Sequence, residues 1–239
     1  MKKSVFILSI VLSSFASAAA EVKEFDSANI SEVVVQNISG KVDVVSTDSV
    51  KTVVTATKNK FSENCTITIE NNNKQLVVKI EKTGFFNSGD CDVDLELKIP
   101  KHANLDISNV SGSSNVKGDL GNLSLKLISG NLDAEGEFKK INGESVSGDV
   151  NMRGLTGGGK LQSVSGAINL TFAGSKINGD IDINTVSGSA ILLLPKGSAI
   201  KTSLKSISGE LSNEIGDSPE ADFKISMRSV SGNLKVKPY

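Results

Sequence analysis

The sequence predicts an all-β protein: a single-stranded parallel β-solenoid (β-helix) preceded by an N-terminal antiparallel β cap region. Three observations carry this. A β-branched residue followed by Ser-Gly recurs eight times, apolar residues stand at fixed offsets from each copy, and aromatic residues are scarce. From Ser111 onward the repeated serines are 18, 18, 18, 22, 21 and 23 residues apart. A period near 20 residues marks a stacked repeat architecture. There is no Trp and a single Tyr, which suits a thin interior filled by Val, Ile and Leu.

The repeated pairs are Ser39-Gly40, Ser111-Gly112, Ser129-Gly130, Ser147-Gly148, Ser165-Gly166, Ser187-Gly188, Ser208-Gly209 and Ser231-Gly232. Each follows Ile38, Val110, Ile128, Val146, Val164, Val186, Ile207 or Val230, taken here as position zero. At −5 and −3 stand pairs such as Val33 and Val35, Leu105 and Ile107, and Ile225 and Met227, with polar residues between them. At +4 and +6 stand Val42 and Val44, Val150 and Met152, Ile168 and Leu170, and Leu234 and Val236. Alternation of period two places one face inward and the other in water.

The pattern predicts five inward sites, −5, −3, 0, +4 and +6, with the Val/Ile column filling the interior. The odd step from −3 to 0 then needs a bend, because a slip of one residue flips every side chain. Gly has no Cβ to clash with neighbouring coils, and the Ser hydroxyl can satisfy a corner's backbone groups. Each repeat therefore reads as strand, corner, strand. An antiparallel sandwich with shared Ser-Gly turns has no reason to keep five sites in phase over eight copies. The copies are imperfect: Gly143 and Gly159 take inward sites, Ser114 a +4 site and Asn213 a +6 site. Those coils are expected to be narrow or loose.

In chain order, residues 1–20 read as a secretory signal peptide. Met1-Lys2-Lys3 is basic, Val5 to Leu12 is apolar, and Ala16-Ser17-Ala18-Ala19-Ala20 offers small cleavage residues. The apolar run is shorter than the ~20 residues of a spanning helix. Removing Lys2 and Lys3 leaves 26 − 2 = 24 basic against 27 acidic residues, a net charge near −3. That balance gives no attraction to nucleic acid or an anionic bilayer. No later stretch could span a membrane, so the mature chain is expected to have no transmembrane segment.

Residues 21–100 read as an N-terminal β region holding the first repeat and the cap. Val50 to Thr57, Cys65 to Glu70, Leu76 to Glu81 and Asp92 to Ile99 are expected strands, with a hairpin turn at Asn71-Asn72-Asn73-Lys74. Cys65 and Cys91, the two cysteines, are expected to form one disulfide. Phe85-Phe86 is an apolar pair in an expected loop. Residues 101–239 carry the solenoid repeats. Asn213 to Asp222 is the widest loop, and Phe223 to Val236 is expected to be the end coil, with Lys235, Lys237 and Pro238 discouraging further pairing.

The strand Asp92-Val93-Asp94-Leu95-Glu96-Leu97-Lys98-Ile99-Pro100-Lys101, then Leu105-Asp106-Ile107 and the tandem Val-Ser-Gly coils, resembles the bacterial "putative adhesin" family, whose members otherwise carry a domain-of-unknown-function label. The resemblance covers about residues 30 to 239. It implies an extracytoplasmic β-solenoid and supplies no catalytic residues.

Visible chemistry is sparse. His102 is the only histidine and lies in a link, which leaves Ser-His-Asp or Cys-His catalysis one candidate. The +3 column, Lys41, Ser113, Asn131, Asp149, Ala167, Ser189, Glu210 and Asn233, forms neither the acid pair of a polysaccharide-cleaving solenoid nor a calcium ladder. Asp90, Asp92 and Asp94 read as the wet side of a strand. Gly157-Gly158-Gly159-Lys160 lacks the spacing and following helix of a phosphate loop. No catalytic, cofactor or metal residue is expected. The function expected is a non-enzymatic, secreted cell-envelope β-solenoid, periplasmic or extracellular, with an adhesin-like or structural role and an unidentified protein or envelope partner. The alternatives are a polysaccharide-active β-helix enzyme and an envelope-stress signalling partner protein.

Overall fold

A computed structural model describes residues 20–84, 89–174 and 177–239. Most of the expected signal peptide and Phe85-Phe86 lie outside the described residues. The N-terminal strands are β1 (Ala20–Asp26), β2 (Glu32–Ser39), β3 (Val42–Thr47), β4 (Lys51–Phe61), β5 (Cys65–Asn72), β6 (Gln75–Lys82) and β7 (Cys91–Pro100). There follow β8 (Asn104–Ser111), β9 (Ser114–Lys117), β10 (Leu120–Ser129), β11 (Leu132–Ser147), β12 (Val150–Leu155), β13 (Gly157–Ser165) and β14 (Ile168–Phe172). The last are β15 (Asn178–Ser187), β16 (Ala190–Leu194), β17 (Ile200–Ser208), β18 (Leu211–Asn213), β19 (Phe223–Ser231) and β20 (Leu234–Pro238).

The core is a parallel solenoid of two strand stacks joined at corners. The first stack runs β6, β2, β8, β10, the second half of β11, β13, β15, β19 and β17. The second runs β7, β3, β9, the first half of β11, β12, β14, β16, β20 and β18. Repeat serines pair in register, Ser39 with Ser111, Ser111 with Ser129, Ser129 with Ser147, and so on. The Ser-Gly pairs lie between the two stacks. Like residues therefore form columns about 4.8 Å apart.

One expectation is overturned. The Val/Ile of position zero form a column, but it faces solvent: Val110, Ile128, Val146, Val164, Val186, Val230 and Ile207 are 43% to 86% exposed, and only Ile38 packs partly on the core. The inward site is −1, held by Asn37, Asn109, Leu127, Ser145, Ser163 and Thr185, all buried. Alternation thus runs unbroken through −5, −3 and −1, and zero falls on the outer face. Small or polar side chains at −1 disguise it as an outward site.

The glycine after each serine has a steric role in every described copy. A Cβ on Gly112, Gly130, Gly148 or Gly166 would drive into the carbonyl oxygen of the glycine one coil away. Gly118, Gly136 and Gly154, unremarked in the sequence pattern, form a second column at the other corner, all with positive φ. Gly143 marks a filled place: a Cβ there would sit 2.7 Å from Leu161 Cδ2, and Leu125 also closes on it. The coil at Gly143 is narrow rather than loose.

The coil order also departs from the sequence order. The last coil in the chain, β19–β20, sits between β15–β16 and β17–β18. The inward residues explain this. Ile225, Met227, Leu234 and Val236 are buried, whereas Thr202, Leu204 and Asn213 are half-buried and Leu211 is exposed. The coil with polar inward sites takes the end, where no further coil stacks on it.

That end is closed by the 214–222 loop. Asp217 accepts from the Thr202 amide (2.9 Å), the Thr202 hydroxyl (2.8 Å) and Asn213 Nδ2 (2.9 Å), while Asn213 Oδ1 accepts from the Ile215 and Gly216 amides. At the other end, β6 and β7 add parallel strands below β2 and β3. Antiparallel strands flank them: β5 on β6, β4 on β7, and β1 on β4. The Asn71–Lys74 turn closes the β5–β6 pair, with Asn73 at φ 61°.

Candidate functional site: an exposed aliphatic ridge

Period-two alternation lifts the zero column onto the outer face of the first stack, beside the corner. The column is a straight ridge of β-branched side chains, one per coil. A shallow groove of about 580 Å³ runs beside it, walled by Ile128, Val146, Val164 and Val186 on one side. Lys126, Glu144, Gln162 and Asn184 form the other wall, and Leu127, Ser145, Ser163 and Thr185 the floor. A contiguous apolar strip on a polar surface marks an interaction site. Single exposed valines need no such account.

The corner serines flank the ridge. Most are exposed, and their backbone carbonyls accept from neighbouring glycines, as Ser129 O does from Gly112 N (3.3 Å). The Ser165 hydroxyl donates to Val146 O (3.4 Å). The +3 column serves the fold: Asn131 Oδ1 accepts from the Asp149 amide (2.9 Å), Asp149 Oδ1 from the Ala167 amide (2.8 Å) and Asn233 Oδ1 from the Glu210 amide (2.9 Å). Each side chain satisfies a backbone donor one coil on.

A second concavity, about 670 Å³, lies where β4 curls over the second stack, lined by Lys41, Asp43, Val45, Val53, Thr55, Glu96, Leu97, Lys98, Asn115 and Lys117. Asp43 and Glu96 are cross-strand neighbours there. Asp43 is held by Lys41 Nζ (2.6 Å) and accepts from Asn115 Nδ2 (2.8 Å). The same contact with Asp43 raises the Lys41 pKa above its ordinary value. With its oxygens engaged by the Lys41 ammonium and the Asn115 amide, the Asp43 carboxylate ties neighbouring strands together.

The remaining sequence candidates fall elsewhere. Cys65 and Cys91 form a disulfide joining the starts of β5 and β7, with Cα atoms 5.8 Å apart. His102 is exposed in a turn at φ 60°, its amide donating to Asp119 O (3.0 Å). Gly157, Gly158 and Gly159 are pressed against backbone carbonyls of Lys139, Asp180 and Ile141, a packing constraint rather than a ligand cradle. Asp92 and Asp94 accept from Asn59 Nδ2. Burial raises the Asp106 pKa, opposed by nearby Lys126 and aided by Glu32. Among the described residues no three His, Cys, Asp or Glu side chains cluster as metal ligands, and no helix is long and apolar enough to cross a membrane. The sequence hides the exposed ridge because Val and Ile at zero resemble core residues; unbroken alternation through −5, −3 and −1 is the signal that turns them outward.

No curated protein matches the chain. Among solved structures, it is similar to a "putative adhesin" from Bacteroides fragilis at 12% identity and TM-score 0.55, covering 92% of this chain and 97% of that one. It also matches a "putative cell adhesion protein" from Clostridium sporogenes at 12% identity and TM-score 0.42, over 93% of this chain and 100% of that one. A "putative lipid binding protein" from Parabacteroides distasonis matches at 14% identity and TM-score 0.46, over 92% and 96%. The Bacteroides likeness supports the all-β, solenoid-like fold. The model of the Toastrack DUF4097 family matches residues 9–237, and the chain belongs to that family.

Proposed function

We propose that this protein is a non-enzymatic, secreted component of the cell envelope with an adhesin-like binding role, and that the aliphatic ridge is its contact surface. The observation that carries the proposal is the row of seven exposed Val and Ile side chains, evenly spaced on a rigid stack. A soluble protein has no folding reason to keep that column aliphatic, since Thr or Ser would fit the same strand position. The disulfide suits an oxidising compartment, in keeping with a periplasmic or extracellular location. The adhesin description of the Bacteroides structure agrees with a binding role.

Within this proposal, residues 1–20 are a signal peptide, 21–100 the N-terminal β region and 101–239 the repeats. The antiparallel strands β1, β4 and β5 act as the cap that shields the first coils from edge pairing. The Ser-Gly corners are structural, spacing the ridge rather than binding.

The test replaces Val146, Val164 and Val186 together with serine and compares retention of envelope components by the variant and the unaltered protein. The proposal expects an unchanged circular dichroism spectrum and lost retention. Retention equal to that of the unaltered protein would overturn it.

A further inference from the structure

We propose that the outer face of β17 and β19 is a binding site for phosphate groups. The parallel register sets Lys201 opposite Lys224, Ser203 opposite Ser226 and Lys205 opposite Arg228. All six alternate with the inward residues of their strands, so they share one outward face. They form a grid of two rungs about 4.8 Å apart and three positions about 7 Å apart along each strand. Cations occupy its four corners, and hydroxyls stand between them.

Like charges directly opposite on paired strands destabilise a sheet, and here it happens twice. Among the described residues no carboxylate lies within ion-pair distance of these four cations. Lysines on an edge strand guard against unwanted pairing, which accounts for Lys201 and Lys205. It does not account for Lys224 and Arg228, because β19 is paired on both sides. A multiply charged anion over the grid relieves both repulsions at once.

The donor set favours phosphate. Arg228 offers a planar fork that matches phosphate oxygens, the three lysines act as point charges, and the Ser203 hydroxyl adds a neutral donor. On the β15 side the patch is bounded by carboxylates. Asp180 Oδ1 accepts from the Lys224 amide (3.1 Å), and Asp182 takes the Ser226 hydroxyl. The ligand therefore sits toward the free edge, over Lys201, Lys205 and Arg228. The net charge near −3 conceals this patch because a whole-chain sum does not report where cations cluster.

The phosphate could belong to a soluble compound or to a lipid headgroup. Titration with inorganic pyrophosphate tests the first source, and flotation with phosphatidylglycerol vesicles against phosphatidylcholine vesicles tests the second, both at low salt. Binding in either arm supports the site and identifies the source. Lys205→Gln with Arg228→Gln is expected to weaken that binding about thirtyfold, two cations at about 1 kcal/mol each. The same double variant should raise the Tm of the free protein by removing a repulsive pair. Lys51→Gln, an exposed cation at the start of β4 and off the grid, should leave binding unchanged. Binding in neither arm, or binding undiminished in the double variant, overturns the proposal.

Discussion

The last two coils carry the same Ser-Gly corner and the same outward β-branched residue, yet occupy different places. β19–β20 lies inside the stack and β17–β18 ends it, against their order in the chain. The motif therefore does not decide position. The inward residues do: Ile225, Met227, Leu234 and Val236 demand cover on both sides, while Thr202 and Asn213 reach a polar network with Asp217 at the end. A solenoid end has fewer neighbours, and polar inward residues suit it because water and loop groups can satisfy them.

The sharpest break in that comparison is Leu234→Ala. Leu234 is fully buried between two coils, and the cavity should cost about 3 kcal/mol in urea unfolding. Asp217→Ala should cost about 1.5 kcal/mol, since it removes the acceptor shared by Thr202 and Asn213. It should also raise amide exchange in β17 and β18 before β19. Leu211→Ala, the counterpart of Leu234 in the end coil, is exposed and should cost less than about 1 kcal/mol. Equal losses for Leu234→Ala and Leu211→Ala would remove the distinction between the coils.

The smallest expected effect lies away from both coils and serves as a control. Burial raises the folded pKa of Asp106 above its ordinary 3.8, so its charged form is disfavoured in the fold. The sign follows: stability gained through Asp106 appears as pH falls through that raised pKa and is complete below the unfolded value. Asp106→Asn should therefore stabilise slightly at neutral pH and lose that advantage in acid, read from Tm against pH.

Much of the architecture was legible from a handful of residues. Leu105 and Ile107, or Val150 and Met152, announce their faces because large apolar side chains at period two have one stable orientation. The Ser-Gly spacing announced stacking because a Cβ cannot pass the glycine below. Position zero misled, since Val and Ile look like core and Ser145, Ser163 and Asn109 at −1 do not. The interior there is narrow enough for small or polar groups, and no local pattern reports that width. β1 was missed because Ala20–Asp26 puts Val22 outward and half-buries Glu21, Lys23 and Phe25 against β4. The coil swap was hidden because it depends on comparing inward residues between coils rather than within one. The groove and the cation grid arise from register across strands, which one-dimensional spacing does not contain.

The central claim is that −1 faces in and zero faces out. Because both native cysteines are bonded to each other, single substitutions Ser145→Cys and Val146→Cys each add the one free thiol among the described residues. Ser145 is 8% exposed and Val146 49%. Native-state maleimide labelling should be fast at Cys-substituted position 146 and require unfolding at position 145. Fast labelling at 145 with protection at 146 would place the aliphatic column inside and contradict the account.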